Sequence, residues 1–342
     1  MKIGIVVGFQ WHAIELGTGL SELGHEVDYI TTSDFASPGK RIRMTWLLSL
    51  AERIQLLKIL FCPLFSYLAC RKSSSCDVII VWSTYGAFFN HTKLGKPIII
   101  VRGSHHIDTQ LALLGITWTI KGLVSRFLEL KDYDNAYKIT VPTEEIANDP
   151  KWKMFRDKLV VSEYGFEVLK RPHSLPNSSR IELLFVGILS YRKGLDRLRN
   201  IFQVEDSNLM LTLVGRLKYR GFKIPNSWNY LGELEKNEVS NLMYSKHILI
   251  LLSREEGMAR VGLEAIARGM PVIATPRSGL NRWLDMGAGI VTSDDPFSDE
   301  VLIAIDEISQ NYKRFSKNAL EVSESWSWKD HAVKLLEPIA LT

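Results

Sequence analysis

The residues best able to do chemistry lie in one stretch of the second half of the chain. Ser253-Arg254-Glu255-Glu256-Gly257-Met258-Ala259-Arg260 leads on through Glu264 to Gly269, Pro271 and Thr275. An apolar run ends at the Glu256-Gly257 turn. A helix is expected from about Ala259 to Gly269, and Pro271 opens the next strand. Glu256 then sits on the turn and Glu264 about one turn inside the helix. Both can face the carboxyl ends of the strands, where open α/β sheets take their ligands. Ionised carboxylates accept hydrogen bonds from the paired hydroxyls of a sugar. Gly257 lets neighbouring backbone N–H groups approach a ligand. Upstream, Phe185-Val186-Gly187-Ile188-Leu189-Ser190-Tyr191-Arg192-Lys193-Gly194 reads as strand, turn and helix entrance. A lysine there is placed to hold a diphosphate together with the helix dipole. Taken singly, each residue has a plainer reading: a solvated lysine, or a glutamate on a helix surface.

At the N-terminus, Gly8-Phe9-Gln10-Trp11-His12 follows a strand and opens a helix. It is neither the G-x-G-x-x-G dinucleotide fingerprint nor a phosphate-binding G-x-x-x-x-G-K-[ST] loop. Gly8 either lets the backbone approach a phosphate at that helix start or simply makes a tight turn.

The elements that must carry these residues follow from hydrophobic pattern. Strands are expected at Ile3–Val7, Glu26–Ile30, Val78–Trp82, Pro97–Val101, Ile139–Val141 and Leu159–Ser162. A helix is expected from about His12 to Leu23. A second series follows at Leu183–Val186, Leu209–Val214, Ile248–Leu252 and Val272–Ala274. Alternating strands and helices predict α/β units with parallel sheets covered on both faces. Between the two series, Glu167–Arg180 holds two prolines, Asn177 and three serines, a linker composition. The expected division is a first domain over 1–168, a linker over 169–180 and a second domain over 181–328.

Lys40–Lys72 is read as one basic, apolar segment, with Leu47, Leu50, Ala51, Ile54, Leu57, Phe61 and Leu64 at helical spacing after Lys40, Arg41 and Arg43. It is either a core-packing helix or a helix that touches an anionic membrane surface.

Composition excludes rather than identifies. The chain has 342 residues, 46% hydrophobic and 23% charged, which fits a globular protein of about two domains. A formal charge of +4 is too small an excess to imply a nucleic-acid surface, and no nucleic-acid partner is expected. The three cysteines lack zinc-type spacing and read as reduced thiols of a cytoplasmic protein. No apolar run reaches the roughly 18 residues of a membrane span, and no signal peptide is read at the start.

The motifs together resemble the GT-B glycosyltransferases, specifically the retaining family 4 group, also described as glycosyl transferases group 1. The strand–turn pattern, roughly F-V-G-R-L-x-x-x-K-G, is matched from Phe185 to Gly194. An L-x-x-x-G segment is matched at Leu211–Gly215, and an F-L-G segment by Tyr230-Leu231-Gly232. The pattern E-G-x-x-x-V-x-L-E-A-x-A-x-G-x-P-V-I-A-T is matched almost in full from Glu256 to Thr275. Gly24–Val27, Arg102–His105, Val141–Glu144 and Trp326-Ser327-Trp328 are looser matches in and around the first half.

The resemblance implies two Rossmann-like domains facing each other across a cleft, with a C-terminal helix of about 329–342 packing back on the first. It implies transfer of a sugar from a nucleotide sugar, UDP- or GDP-linked, to a glycan or lipid-linked acceptor, with retained configuration and no metal or other cofactor. The setting it implies is cell-surface polysaccharide synthesis in the cytoplasm, at the inner face of a membrane. Lys193 would hold the diphosphate, and Glu256 the hydroxyls of the transferred sugar. Glu264 would hold the ribose. The amides of Gly257, Met258 and Ala259 would lie nearby, with Gly8, Gly187 and Arg260 also lining the donor. His105, or its neighbour His106, would stand near the reacting centre. Two departures are evident. The family arginine after the first glycine is Ile188, so one phosphate contact is missing unless Arg192, Arg216 or Arg260 supplies it. A family glutamate is replaced by Arg282. These departures leave a catalytically silent nucleotide-sugar-binding subunit as the alternative. An epimerase of the same fold is disfavoured, because this chain lacks the acidic pair and histidines typical of that chemistry near the hinge.

Overall fold

A computed structural model describes residues 1–7, 11–31, 39–43, 55–82, 89–103, 105–113, 119–167, 180–202 and 208–340. The chain divides into two compact units, Met1–Gly165 with Trp328–Thr342, and Phe166–Ser327. Most of the linker segment 169–180 lies outside the described residues.

The first unit opens with β1 (Lys2–Val7), α1 (Trp11–Glu22), β2 (Glu26–Thr31) and β3 (Lys40–Arg43). It continues with α2 (Gln55–Lys72), β4 (Val78–Trp82), β5 (Ile98–Val101), α3 (Ile107–Leu113), α4 (Ile120–Asn135), β6 (Lys138–Val141) and β7 (Leu159–Val161). Its strands form one parallel seven-stranded sheet in the order β3-β2-β1-β4-β5-β6-β7. The central strands are buried on both faces, as their unbroken apolar runs require: VIIVW in β4 and IIIV in β5. Register is tight at the centre, where Ile5 lies between Tyr29 and Ile80.

Lys40–Arg43, which precedes the residues of helical spacing, forms the parallel edge strand β3, with Asp28 opposite Lys40 and Thr31 opposite Arg43. A charged four-residue strand with Ile42 as its single apolar residue carries no alternation to read. Charge on an edge also discourages pairing with another chain. Residues 44–54 of the same segment lie outside the described residues, and α2 carries the helical character of the remainder.

The second unit contains β8 (Ile181–Val186), α5 (Leu195–Ile201), β9 (Leu209–Val214), β10 (Asn229–Tyr230), α6 (Lys236–Met243) and β11 (Ile248–Leu251). It ends with α7 (Arg260–Ala267), β12 (Val272–Ala274), β13 (Gly289–Val291), α8 (Ser298–Gln310) and α9 (Tyr312–Glu324). Its parallel six-stranded sheet has the order β10-β9-β8-β11-β12-β13. Chain order reverses between β8 and β11, which are neighbours with Leu183 opposite Ile248. In an open α/β sheet that switch point opens a crevice at the strand carboxyl ends. Leu195, Leu198 and Ile201 of α5 and Val301, Ile305 and Ile308 of α8 pack into the core on this sheet.

The last helix, α10 (Trp328–Ala340), belongs to the first unit and packs on α1. Gly19 makes that contact close. A Cβ there would overlap the carbonyl of Trp328, so glycine is required although it costs about 1 kcal/mol of helix propensity. Among the described residues, no helix is long and apolar enough to cross a membrane.

Candidate functional site

The loops leaving β8 and β11 carry the residues singled out by type and spacing. β8 ends at Gly187, whose N–H donates to the Val214 carbonyl, and the chain turns through Ser190–Gly194 into α5. Gly194 adopts a left-handed φ of 74°, and a Cβ there would run into the Leu252 carbonyl. The turn therefore lies directly against the end of β11. Lys193, on that turn, directs its amine toward Gly187 and forms an ion pair with Glu256. Both side chains are largely shielded, at 14% and 10% exposure. Glu256 also accepts from Ser253 Oγ at 3.1 Å. Ser253 is in turn tied to β12, its carbonyl accepting from Thr275 Oγ1 at 2.6 Å.

Arginines lock the two loops together. Arg192 Nη1 donates to the Glu255 carbonyl at 2.7 Å and lies 3.2 Å from the buried Glu255 carboxylate and 3.7 Å from Glu256. Arg254 forms a two-point pair with Asp196, both contacts 2.7 Å, and donates to the Tyr191 carbonyl. Its guanidinium lies 3.7 Å from the centroid of the Tyr191 ring. Planar two-point pairing and stacking are what a guanidinium does and an ammonium does not. Sequence reading named Arg192 only as a substitute phosphate contact and missed Ser253, Arg254, Asp196 and Glu255. The partners of Arg254, Asp196 and Glu255 lie some sixty positions away, and no local pattern links them.

Ile188 stands where the family carries an arginine. Of the three arginines that could take over its phosphate, Arg192 is the one that borders Lys193 and Glu256. Arg216 pairs with Glu233 at 2.9 Å, and Arg260 stands 3.9 Å from Glu264 on the next turn of α7. Arg282 lies over Trp283 and Trp326, 4.5 and 5.6 Å from their ring centroids, which gives the side chain a packing role of its own.

The amides next to Glu256 differ in availability. Ala259 donates its N–H to the Ser278 carbonyl at 2.8 Å. Gly257 and Met258 are buried, and their N–H groups find no acceptor among the described residues. Buried N–H groups in that condition mark a place for a ligand or water.

Two expected residues belong to the first unit. Gly8 lies outside the described residues. His105 is half-buried, and Arg102 donates to its carbonyl from Nε and Nη2, each at 3.3 Å. Arg102 is itself held by Glu129 at 2.6 Å. His106 is a core residue, 2% exposed, set among Tyr133, Trp152 and Phe155, and burial pushes its imidazole down to about 4. The triplet Asp132-Tyr133-Asp134 matches the two-aspartate pattern of metal-dependent transferases in letters only. Asp132 is buried in α4 while Asp134 is exposed, so the two carboxylates do not converge. No cluster of His, Cys, Asp or Glu able to hold a metal occurs among the described residues.

Residues 168–322, nearly the whole second unit, match the family model described as glycosyl transferases group 1. The chain is 30% identical over 154 residues to an uncharacterized glycosyltransferase of Methanocaldococcus jannaschii, a match covering 43% of this chain and 44% of that protein. It is 31% identical over 146 residues to the lipopolysaccharide glucosyltransferase WaaG of Escherichia coli, covering 40% of this chain and 38% of WaaG. These matches therefore span less than half the length of the relatives. Over its full length, the chain shares its fold with Anabaena Alr3699/HepE, solved in complex with UDP-glucose. The TM-score is 0.71 at 14% identity, with 100% of both chains covered. The architecture is GT-B.

Proposed function

We propose that the chain is a glycosyltransferase that moves a sugar from a nucleotide sugar to a glycan or lipid-linked acceptor, with retained configuration and without a metal. The observation that carries this reading is the shielded Lys193–Glu256 pair at the β8/β11 switch point, inside the family match. Support for the donor class comes from Alr3699/HepE with its UDP-glucose, and for the setting from WaaG in lipopolysaccharide synthesis. The proposed location is the cytoplasm at the inner face of a membrane, with peripheral contact through Lys40–Lys72.

In the proposed reaction the bond between the anomeric carbon and the diphosphate oxygen breaks. A new bond forms to the acceptor hydroxyl oxygen on the same face, and the hydroxyl proton passes to the departing phosphate oxygen. Negative charge grows on the diphosphate, so the catalyst must place cations and N–H donors there. Lys193 carries that role, with Arg192 as the adjoining cation. Glu256 accepts hydrogen bonds from hydroxyls of the transferred sugar, with the Gly257 and Met258 amides beside it. Glu264 accepts from the ribose, and Arg260 orients it. Gly187 lets the phosphates approach, and Gly8 and His105 are the proposed first-unit contributions. Before the donor arrives, Lys193 and Glu256 neutralise each other. The donor takes both, with a phosphate replacing the carboxylate at the lysine and a hydroxyl replacing the lysine at the carboxylate.

The test is turnover of UDP- and GDP-sugars by the full chain. Hydrolysis or transfer that persists undiminished in Lys193→Ala and Glu256→Ala would overturn the assignment.

A further inference from the structure

Glu264 stands on α7 between two arginines, Arg260 one turn before it and Arg268 one turn after. Arg268 is the residue at which the helix ends. Its backbone N–H donates to the Ala265 carbonyl at 2.9 Å, and its side chain takes the Glu264 carbonyl, with Nη1 at 2.7 Å. The last carbonyls of a helix lack partners within it, and a basic side chain can supply one. Arg268 is 3% exposed. A guanidinium so buried needs its donors met and its charge balanced. Ser240 Oγ of α6 accepts from Nε at 3.0 Å and from Nη2 at 2.6 Å. Those partners are neutral. The one carboxylate paired with Arg268 among the described residues is Glu167, 3.5 Å from Nη2. Glu167 lies on the segment by which the chain enters the second unit, which begins at Phe166. Phe166 donates its N–H to the Trp326 carbonyl at 3.0 Å and sets its ring edge-on against buried Trp283, with centroids 5.1 Å apart. Glu167 thus extends from a seated residue, and Arg268 joins it to the backbone of Glu264.

We propose that Arg268 and Glu167 are positioning residues for the nucleotide: Arg268 sets the turn of α7 that presents Glu264, and Glu167 sets Arg268. This role rests on the ribose contact proposed for Glu264. It places a determinant of donor affinity on the entry segment, 101 positions from Arg268 in the chain. The ribose is separated from the breaking bond by the diphosphate. A displaced Glu264 therefore weakens ground state and transition state alike, which raises KM and leaves kcat unchanged. Lysine at position 268 would keep the charge, but its single ammonium cannot meet Ser240, the Glu264 carbonyl and Glu167 as one planar guanidinium does.

The test is calorimetric binding of UDP and GDP to the full chain, in the wild type, Arg268→Lys, Glu167→Gln, Glu264→Ala and the two double variants that add Glu264→Ala. Arg268→Lys is expected to weaken nucleotide binding about tenfold and Glu167→Gln about threefold, within the range of coupling between residues that share partners. Neither should weaken it further once Glu264 is alanine. An arginine that only stabilises the fold predicts equal losses in both backgrounds. Such equal losses, or wild-type affinity in both single variants, would overturn the positioning role and leave the donor reading standing. A wild type that binds neither nucleotide would overturn the donor reading and this role with it. The donor KM, read with kcat, gives a second answer: KM should rise and kcat hold, and a fall in kcat alone counts against positioning. If Arg268→Lys fails to fold, Glu167→Gln carries the same comparison, because that carboxylate is 37% exposed and glutamine keeps an acceptor for Nη2.

Discussion

The Lys193 ammonium and the Glu256 carboxylate are paired across the loops leaving β8 and β11, each largely out of solvent. Removing one partner leaves the other charge shielded and uncompensated. Lys193→Ala and Glu256→Ala are therefore each expected to lose stability, and the double variant to recover part of that loss. Turnover should fall in both single variants by roughly 10²–10³, the scale seen when one charge-stabilising donor is removed. Chemical denaturation and initial rates on the three proteins check both statements. A double variant less stable than either single one would show that the pair contributes nothing as a unit.

Arg254 holds the β8 loop from the β11 side through Asp196 and Tyr191. Arg254→Lys keeps the charge but gives up the planar two-point pairing and the stack. The expected result is a loss of about 1–2 kcal/mol in stability and a rise in KM for the donor, because the loop carrying Lys193 loses its anchor. Donor KM with kcat recorded separately distinguishes a displaced loop from a missing reacting group.

Strands buried on both faces announce themselves, and β4 and β9 run where their apolar residues do. The motif from Glu256 to Thr275 was equally legible, since turn, helix and strand follow one another locally. The edge strand β3 was not, because four mostly charged residues carry neither alternation nor an apolar run. Nor was the difference between His105 and His106. Adjacent residues of a turn can point to surface and core, and only the packing of Trp152 and Tyr133 shows which one is inside. Arg282 replaces a family glutamate, and the two tryptophans beneath it are visible only in three dimensions.

Gly19 offers a test of how closely α10 is seated. On propensity alone, Gly19→Ala should stabilise α1 by about 1 kcal/mol. The added methyl meets the Trp328 carbonyl, so the expected outcome is the reverse, a net loss of roughly 1–3 kcal/mol. Gly24, where a Cβ meets nothing but φ is 81°, supplies a comparison in which only backbone strain acts. Thermal unfolding of the two alanine variants separates the effects. A stabilised Gly19→Ala protein would mean that the helices are not in contact at that point.

Stability should fall in mild acid because of two buried histidines. His331 on α10 has its Nδ1 2.7 Å from Ser162 Oγ, while its buried Nε2 has no partner among the described residues. Protonation would charge a ring that burial shields from water, and the hydrogen bond at the Glu163 backbone, which favours the charged form, offsets only part of that cost. Burial accordingly pushes the imidazole down to about 4, as it does for His106. Both folded values lie below the ordinary value of 6.5, so the unfolded chain binds protons more readily between the two limits. The stabilisation is thus complete above about pH 6.5, declines as pH falls toward 4, and changes no further below that. Each histidine contributes at most roughly 3 kcal/mol to that decline. Denaturation midpoints measured from pH 7 to pH 4.5 should fall for the wild type. They should fall less steeply for His331→Phe, which keeps a flat ring in the cavity beside Tyr164 and Trp328 and cannot titrate. An unchanged slope in that variant would remove His331 from the account of acid sensitivity and leave His106 to be tested by the same substitution.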